Sequence, residues 1–184
     1  MNNRRLGNTA LEVSEIGMGC EGFVDKDEEQ IVGLVDLMER EGVNCLDLYT
    51  PNPQVRSGLG KALRGRRERF VLQAHLCTTW KNGQYERTRN IQEVKAGFED
   101  LLRRLETDHV EIGMVHYVDT MEDWKAVSEG PVMEYARDLR ERGVIQCIGL
   151  SSHNPCGSFG SGKEWLDSGA DVQCESLLRF AAGQ

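Results

Sequence analysis

Val43-Asn44-Cys45-Leu46-Asp47-Leu48-Tyr49, followed by Gly58-Leu59-Gly60-Lys61-Ala62-Leu63, decides how the chain is read. A short apolar run ends on a carboxylate, and a helix that starts with small residues comes after it. A buried parallel strand has that form, because both of its faces are covered and the polar alternation is lost. An acid at the C-terminal end of such a strand sits where βα folds gather their chemistry. A turn or helix-capping Asp is the other reading of Asp47.

The same alternation repeats on both sides. Upstream, residues 5–13 hold a Gly7-Asn8 turn signal between short apolar segments and read as a hairpin. Ile16-Gly17-Met18-Gly19-Cys20 reads as a first buried strand, its glycines permitting close backbone approach. Residues 27–41 carry Ile31, Leu34, Val35 and Met38 on one helical face and stop at Gly42. Downstream come a short helix over 55–64 and a third strand over 70–75. Val94, Phe98, Leu101, Leu102 and Leu105 have amphipathic-helix offsets. A fourth strand covers 110–116, a helix covers 132–142 up to Gly143, and a fifth strand covers 144–150. Strand and helix alternate about five times through mostly short connections, which is the signature of a parallel α/β fold. The period is too irregular for a solenoid. No Gly-x-Gly-x-x-Gly follows the first strand, which weighs against a dinucleotide-binding sheet.

Composition narrows the function classes. The 184 residues are 39% hydrophobic and 28% charged, which suits one globular domain with a real core. A formal net charge of -8 weighs against nucleic acid or an anionic membrane as partner. No apolar run approaches the ~20 residues of a membrane span, and the start lacks a secretory apolar region, so a cytoplasmic protein is expected. Six cysteines, Cys20, Cys45, Cys77, Cys147, Cys156 and Cys174, are widely spread with no Cys-x-x-Cys pair. They read as buried free thiols rather than metal ligands.

Several spaced segments together resemble the aldo/keto reductase family. They are Arg5-Leu6-Gly7-Asn8-Thr9 through Gly19, the Asp47 strand, Gly60-Lys61-Ala62-Leu63, the His116 strand, and Ile148-Gly149-Leu150-Ser151-Ser152-His153-Asn154. The resemblance covers roughly residues 4–155 and implies a (β/α)8 barrel that reduces carbonyls with NADPH. The family uses an Asp and a Tyr after the second strand, a Lys on the third and a His on the fourth, gathered at C-terminal strand ends. Asp47 matches the Asp and His116 the His. The Tyr position is Asn52, whose amide cannot deliver a proton at neutral pH. The Lys position is His75. Tyr49, two residues beyond Asp47, or His116 is then the expected replacement acid; an aromatic packed under a loop is the other reading of Tyr49. Ser151 and Ser152 match the Ser-Asn pair that holds the nicotinamide amide, with Ser152 in the place of Asn. A helix N-cap is the other reading of the pair. Ser151-Ser152-His153-Asn154-Pro155 is most similar to a branch whose longer members append a cysteine-rich, cluster-binding tail, which this chain lacks.

A barrel of this kind needs about 250 residues, so the chain reads as a C-terminally truncated member, an incomplete (β/α)8 barrel with an N-terminal hairpin and five to six βα units. Residues 1–155 are the N-terminal part of the barrel. Residues 156–184 are an atypical, glycine-rich tail. Gly157 to Lys163 fits the phosphate-loop spacing, but Glu164 stands where a Ser or Thr holds magnesium. Read one base late from Cys156, the codons can spell A-E-A-L-A-A and then the helix and strand expected of this branch, with Trp165 forced to glycine as required. A frameshift is the favoured reading of the tail. In frame, Val172-Gln173-Cys174-Glu175 also resembles the family's V-x-Q-x-E strand. Two functions follow from the resemblance: an NADP-dependent carbonyl or aldehyde reductase acting on a small molecule with an altered tetrad, or a non-catalytic remnant that binds no cofactor.

Overall fold

In a computed structural model of the chain, residues 1–7 and 9–152 are described, together with the backbone of residues 172–173. The chain opens with an antiparallel hairpin of β1 (Asn3–Arg5) and β2 (Glu12–Ser14). It continues through β3 (Gly17–Gly19), α1 (Glu28–Glu41), β4 (Cys45–Leu48), α2 (Pro53–Ala62) and β5 (Val71–Leu76). A second hairpin, β6 (Thr78–Lys81) and β7 (Gln84–Arg87), precedes α3 (Ile91–Leu105) and β8 (Val110–Val115). Then come α4 (Met121–Ser128), α5 (Pro131–Glu141), β9 (Ile145–Leu150) and β10 (Val172–Gln173).

The helices begin and end on chemistry that is local to the sequence. Asp27 and Gln30 form a reciprocal capping box that satisfies the first free N–H groups of α1. Gly42 takes the left-handed conformation (φ +74°) that closes the same helix, where a side chain would be strained. Asn52 caps α2 and Asn90 caps α3.

Six strands lie in the order β10-β9-β8-β5-β4-β3, each paired parallel with its neighbour. That is the sequence order of an incomplete (β/α)8 barrel, in which every strand sits beside the next. The first strand departs from expectation. It is only three residues long, half-buried, and preceded by Ile16 at 53% exposure. β3 lies at the end of the sheet and pairs with β4 alone among the described strands, so one flank goes uncovered.

Alternation along the strands sorts side chains into two cores. Leu46, Leu48, Leu72, Ala74, Leu76, Val115, Ile148 and Leu150 pack outward against the helices, with Ile31, Leu59, Phe98, Leu101 and Leu139 among their partners. Cys45, Val71, Ile112, Met114 and Cys147 form a second cluster, to which β2 and the residues before it add Leu11 and Val13. The opening hairpin therefore plugs one end of the strand set. Two residues further along the same strands come Asp47, Gln73, His116 and Gly149, so the plugged floor and the chemistry share a face. Gly149 is required there, since a Cβ would lie 2.0 Å from Met114 Sδ.

The atypical tail over 156–184, its frame reading and its phosphate-loop pattern lie outside the described residues, apart from the β10 backbone that extends the sheet beside β9.

Candidate active site

Asp47, Gln73, His75, His116 and Ser151 come from four neighbouring parallel strands and meet at their C-terminal ends, all of them buried. Asp47 Oδ1 accepts from Gln73 Nε2 at 3.0 Å and lies 2.9 Å from His75 Nε2. His75 Nδ1 lies 2.8 Å from His116 Nδ1, so His75 bridges the carboxylate and the second imidazole. Ser151 Oγ is 3.0 Å from that same His116 nitrogen and accepts from the Tyr117 backbone N–H at 3.0 Å.

Three tyrosines surround the pair. The Tyr49 ring stands 5.9 Å from His75 and 5.4 Å from His116. Tyr85 comes from β7, and its hydroxyl is 3.0 Å from His116 Nε2. Tyr117 packs edge-on at 4.4 Å from the His116 ring and carries the Arg87 guanidinium 3.9 Å above its own ring. Its backbone is left-handed (φ +58°), held by the Ser151 contact and by Arg89, which donates to its carbonyl at 2.6 Å. A cleft of about 240 Å³ opens beside His116, lined also by Arg87, Arg89, Tyr117 and Asp119.

Electrostatics follow from this burial. Burial raises the Tyr85 phenol well above its ordinary value, reinforced by the neighbouring Tyr49, so Tyr85 keeps its proton at any physiological pH. Burial, then the charge of Glu21, raises Tyr49. Cys20 is raised by burial and then by Asp47, and Cys45 is pushed to about 12 by burial, then Asp47 and Glu111. Both thiols therefore stay un-ionised beside the carboxylate.

The remaining sequence candidates sit apart. The Asn52 side chain accepts from the Gln54 and Val55 N–H groups at 2.9 and 3.3 Å, which commits its oxygen to capping α2. Ser152 turns to Asp119, 3.3 Å away. Gln73, Tyr85 and Tyr117 were not singled out by the sequence. Gln73 was detectable as the inward neighbour of His75 at period two. Tyr85 was signalled by Asn82-Gly83, a type I′ turn pair between two short polar strands. Both turn residues have positive φ, +51° and +79°.

The sequence profile of the aldo/keto reductase family matches residues 15–158. The chain belongs to the aldo/keto reductase family. It is 26% identical over 159 residues to the oxidoreductase YqkF of Bacillus subtilis, covering 84% of this chain and 50% of that protein. To the aldo-keto reductase YhdN of the same organism it is 26% identical over 156 residues, covering 80% and 46%. Among solved structures, the holo form of the aldo-keto reductase AKR11C1 from Bacillus halodurans superposes with a TM-score of 0.74 at 29% identity, over 94% of this chain and 55% of that one. PA4992 from Pseudomonas aeruginosa gives 0.71 at 29% identity, over 82% and 60%. The sheet is thus part of an aldo/keto reductase barrel, and the chain spans about half the length of the curated relatives it matches. Among the described residues no helix is long and apolar enough to cross a membrane.

Proposed function

We propose that the chain carries the acid–base half of an NADP-dependent oxidoreductase that reduces an aldehyde or ketone of small size. One observation carries this reading: Asp47, His75 and His116 form a continuous buried hydrogen-bonded array at the strand ends, in the places of the family's Asp, Lys and His. His75 when protonated is a cation 2.9 Å from Asp47, which keeps the charge pairing that the family makes with lysine. His116 Nε2 meets the Tyr85 hydroxyl at 3.0 Å, which ties the imidazole to a phenol at the mouth of the strand set. Tyr49 forms the wall against both imidazoles.

The donor set fits the nicotinamide end of the cofactor. Ser151 and Ser152 stand buried at the end of β9, and a hydroxyl both donates and accepts, as a carboxamide requires. Reduced nicotinamide supplies the hydride when bound. Ser151 would hold its amide beside His116, whose Nδ1 lies 3.0 Å from Ser151 Oγ. A cytoplasmic location, where the buried thiols of Cys20, Cys45, Cys77 and Cys147 stay reduced, accompanies this reading.

Titrating the 184-residue chain with NADPH while following tryptophan fluorescence tests it. Saturable quenching in the micromolar range is expected, weakened about tenfold by Ser151→Ala. A flat titration to millimolar nucleotide overturns the reading in favour of a remnant that binds no cofactor.

A further inference from the structure

The family's proton-donor position is occupied by Asn52, and Asn52 is committed to capping a helix. The site nevertheless holds a phenol on the imidazole that faces substrate. We propose that Tyr85, delivered by the β6–β7 hairpin, is the proton donor of this site, and that Asp47, His75 and His116 form a relay whose direction one added proton reverses. This rests on the oxidoreductase reading above.

The hydrogen-bond geometry fixes where the protons are. An ionised Asp47 only accepts, so His75 Nε2 carries hydrogen toward it across 2.9 Å. With a neutral imidazole, His75 Nδ1 then bears a lone pair. The 2.8 Å contact to His116 Nδ1 is attractive only if that second nitrogen carries hydrogen. His116 Nε2 in turn bears a lone pair, and the Tyr85 O–H donates to it across 3.0 Å. Every donor points inward to Asp47, and the tyrosine proton is engaged. The two histidines must hold opposite tautomers.

Adding one proton inverts the row. Whether it resides on His75 or on His116, Nε2 of His116 becomes a donor, and Tyr85 accepts from it. The tyrosine's own proton then turns away from His116, on the side where the Tyr49 hydroxyl also bonds it. The proton half of a carbonyl reduction balances on these groups. The Tyr85 O–H bond breaks and an O–H bond forms on the carbonyl oxygen. His116 Nε2–H returns a proton to the phenolate, His116 recovers one at Nδ1 from His75, and the array is back in its inward state. Reduced nicotinamide, held at Ser151, would supply the hydride for the C–H bond. The high phenol pKa agrees with a donor that holds its proton until the row inverts.

Among the described residues, Asp119 and Asp123 line the cleft beside His116, and the Cys77 thiol meets the His116 backbone. Tyr49, Gln73, Ser151 and Tyr117 surround the relay, Cys20 and Cys45 lie beside Asp47, and Glu21 acts on Tyr49. The nearby cations are Arg87, over Tyr117, and Arg89, bonded to the Tyr117 carbonyl. Burial keeps the Cys20 and Cys45 thiols protonated in the neutral range, so neither supplies the added proton.

Long-range proton–nitrogen NMR on the 184-residue chain with nitrogen-labelled histidine reads the relay without any turnover. The expected pattern above neutrality is hydrogen on Nδ1 of His116 and on Nε2 of His75, both shifting together on acidification. Tyr85→Phe should move the His116 Nε2 resonance, lower carbonyl reduction at least 100-fold and leave the NADPH dissociation constant within twofold. Tyr135→Phe, in α5 and outside the site, controls for loss of a buried phenol. Wild-type kcat should fall as pH rises, because the inverted row carries one added proton. Identical tautomers overturn the relay even in an active protein. Tyr85→Phe with undiminished kcat overturns the donor. Opposite tautomers in a chain that binds NADPH yet reduces no carbonyl overturn the reductase reading and, with it, the donor role of Tyr85.

Discussion

Asn52 shows how one residue can answer two questions at once. Its side-chain oxygen accepts two of the backbone N–H groups that α2 leaves without partners, so it is fixed at the head of the helix, away from the Asp47 array. Loss of such a cap costs about 1 kcal/mol. Asn52→Ala should lower the stability of the chain by about that amount in urea denaturation, whereas Asn52→Asp, which still accepts, should stay within about 0.5 kcal/mol of wild type. Asn52→Tyr restores the family's residue but loses the cap, and is expected to destabilise by at least as much as the alanine change. At this scale much of the site was legible. Asp47 was read from the apolar run that ends on it, and His75, His116 and Ser151 from the family resemblance. Tyr85 was hidden because it enters from a polar hairpin with no apolar run to place it. Gln73 shares the inward face with His75 at period two, but its amide gives no sign of its partner until the carboxylate is seen 3.0 Å away.

Among the elements, the close approach of α2 and α3 depends on Gly60. A Cβ there would lie 2.2 Å from the Arg104 carbonyl oxygen and 3.0 Å from Leu105 Cα, all of it backbone that cannot rotate aside. Gly60→Ala gains about 1 kcal/mol of helix propensity and loses more to overpacking. A net loss of about 2 kcal/mol is expected in the urea midpoint. Gly58→Ala, one turn face away, meets only the end of the Ile31 side chain at 2.6 Å and should be nearly neutral. The contrast separates backbone contact from side-chain contact on one helix. β4, β5 and β8 were readable because each is a continuous buried run. The β6–β7 hairpin and α4 were not read, for different reasons. The hairpin is half-exposed and carries little hydrophobic periodicity, so its Asn82-Gly83 turn is its strongest mark. α4 is eight residues long, and its mark is the Thr120 side chain accepting from the Asp123 N–H. First-strand burial was overcalled because apolar letters do not reveal that β3 pairs with β4 alone among the described strands.

For the molecule as a whole, the buried thiols tie stability to pH. The Cys45 thiol sits in the plugged floor with Leu11, Val13 and Met114, 7% exposed, and its pKa rises from 9.0 to about 12 through burial and the charges of Asp47 and Glu111. Cys20 and Cys77 are raised as well, both chiefly by burial. The folded chain therefore keeps protons that the unfolded chain has begun to lose above pH 9. Stability is full below the unfolded value and falls as pH rises toward the folded one. Arg56 acts in the opposite sense: burial lowers it to about 10, so the unfolded chain is the better proton binder above that pH. Between about pH 8.5 and 10 the raised phenols of Tyr49, Tyr85 and Tyr135 add to the thiols in the same sense, and one pKa unit corresponds to about 1.4 kcal/mol. Urea denaturation under reducing conditions should thus show the wild-type chain losing stability over this interval. Cys45→Ala, whatever its cavity costs at neutral pH, should lose about 1 kcal/mol less of it, because alanine has no proton to shed in the unfolded state. Equal slopes for the two proteins would mean that the floor of the strand set is wet, with the opening hairpin standing away from the barrel end instead of sealing it.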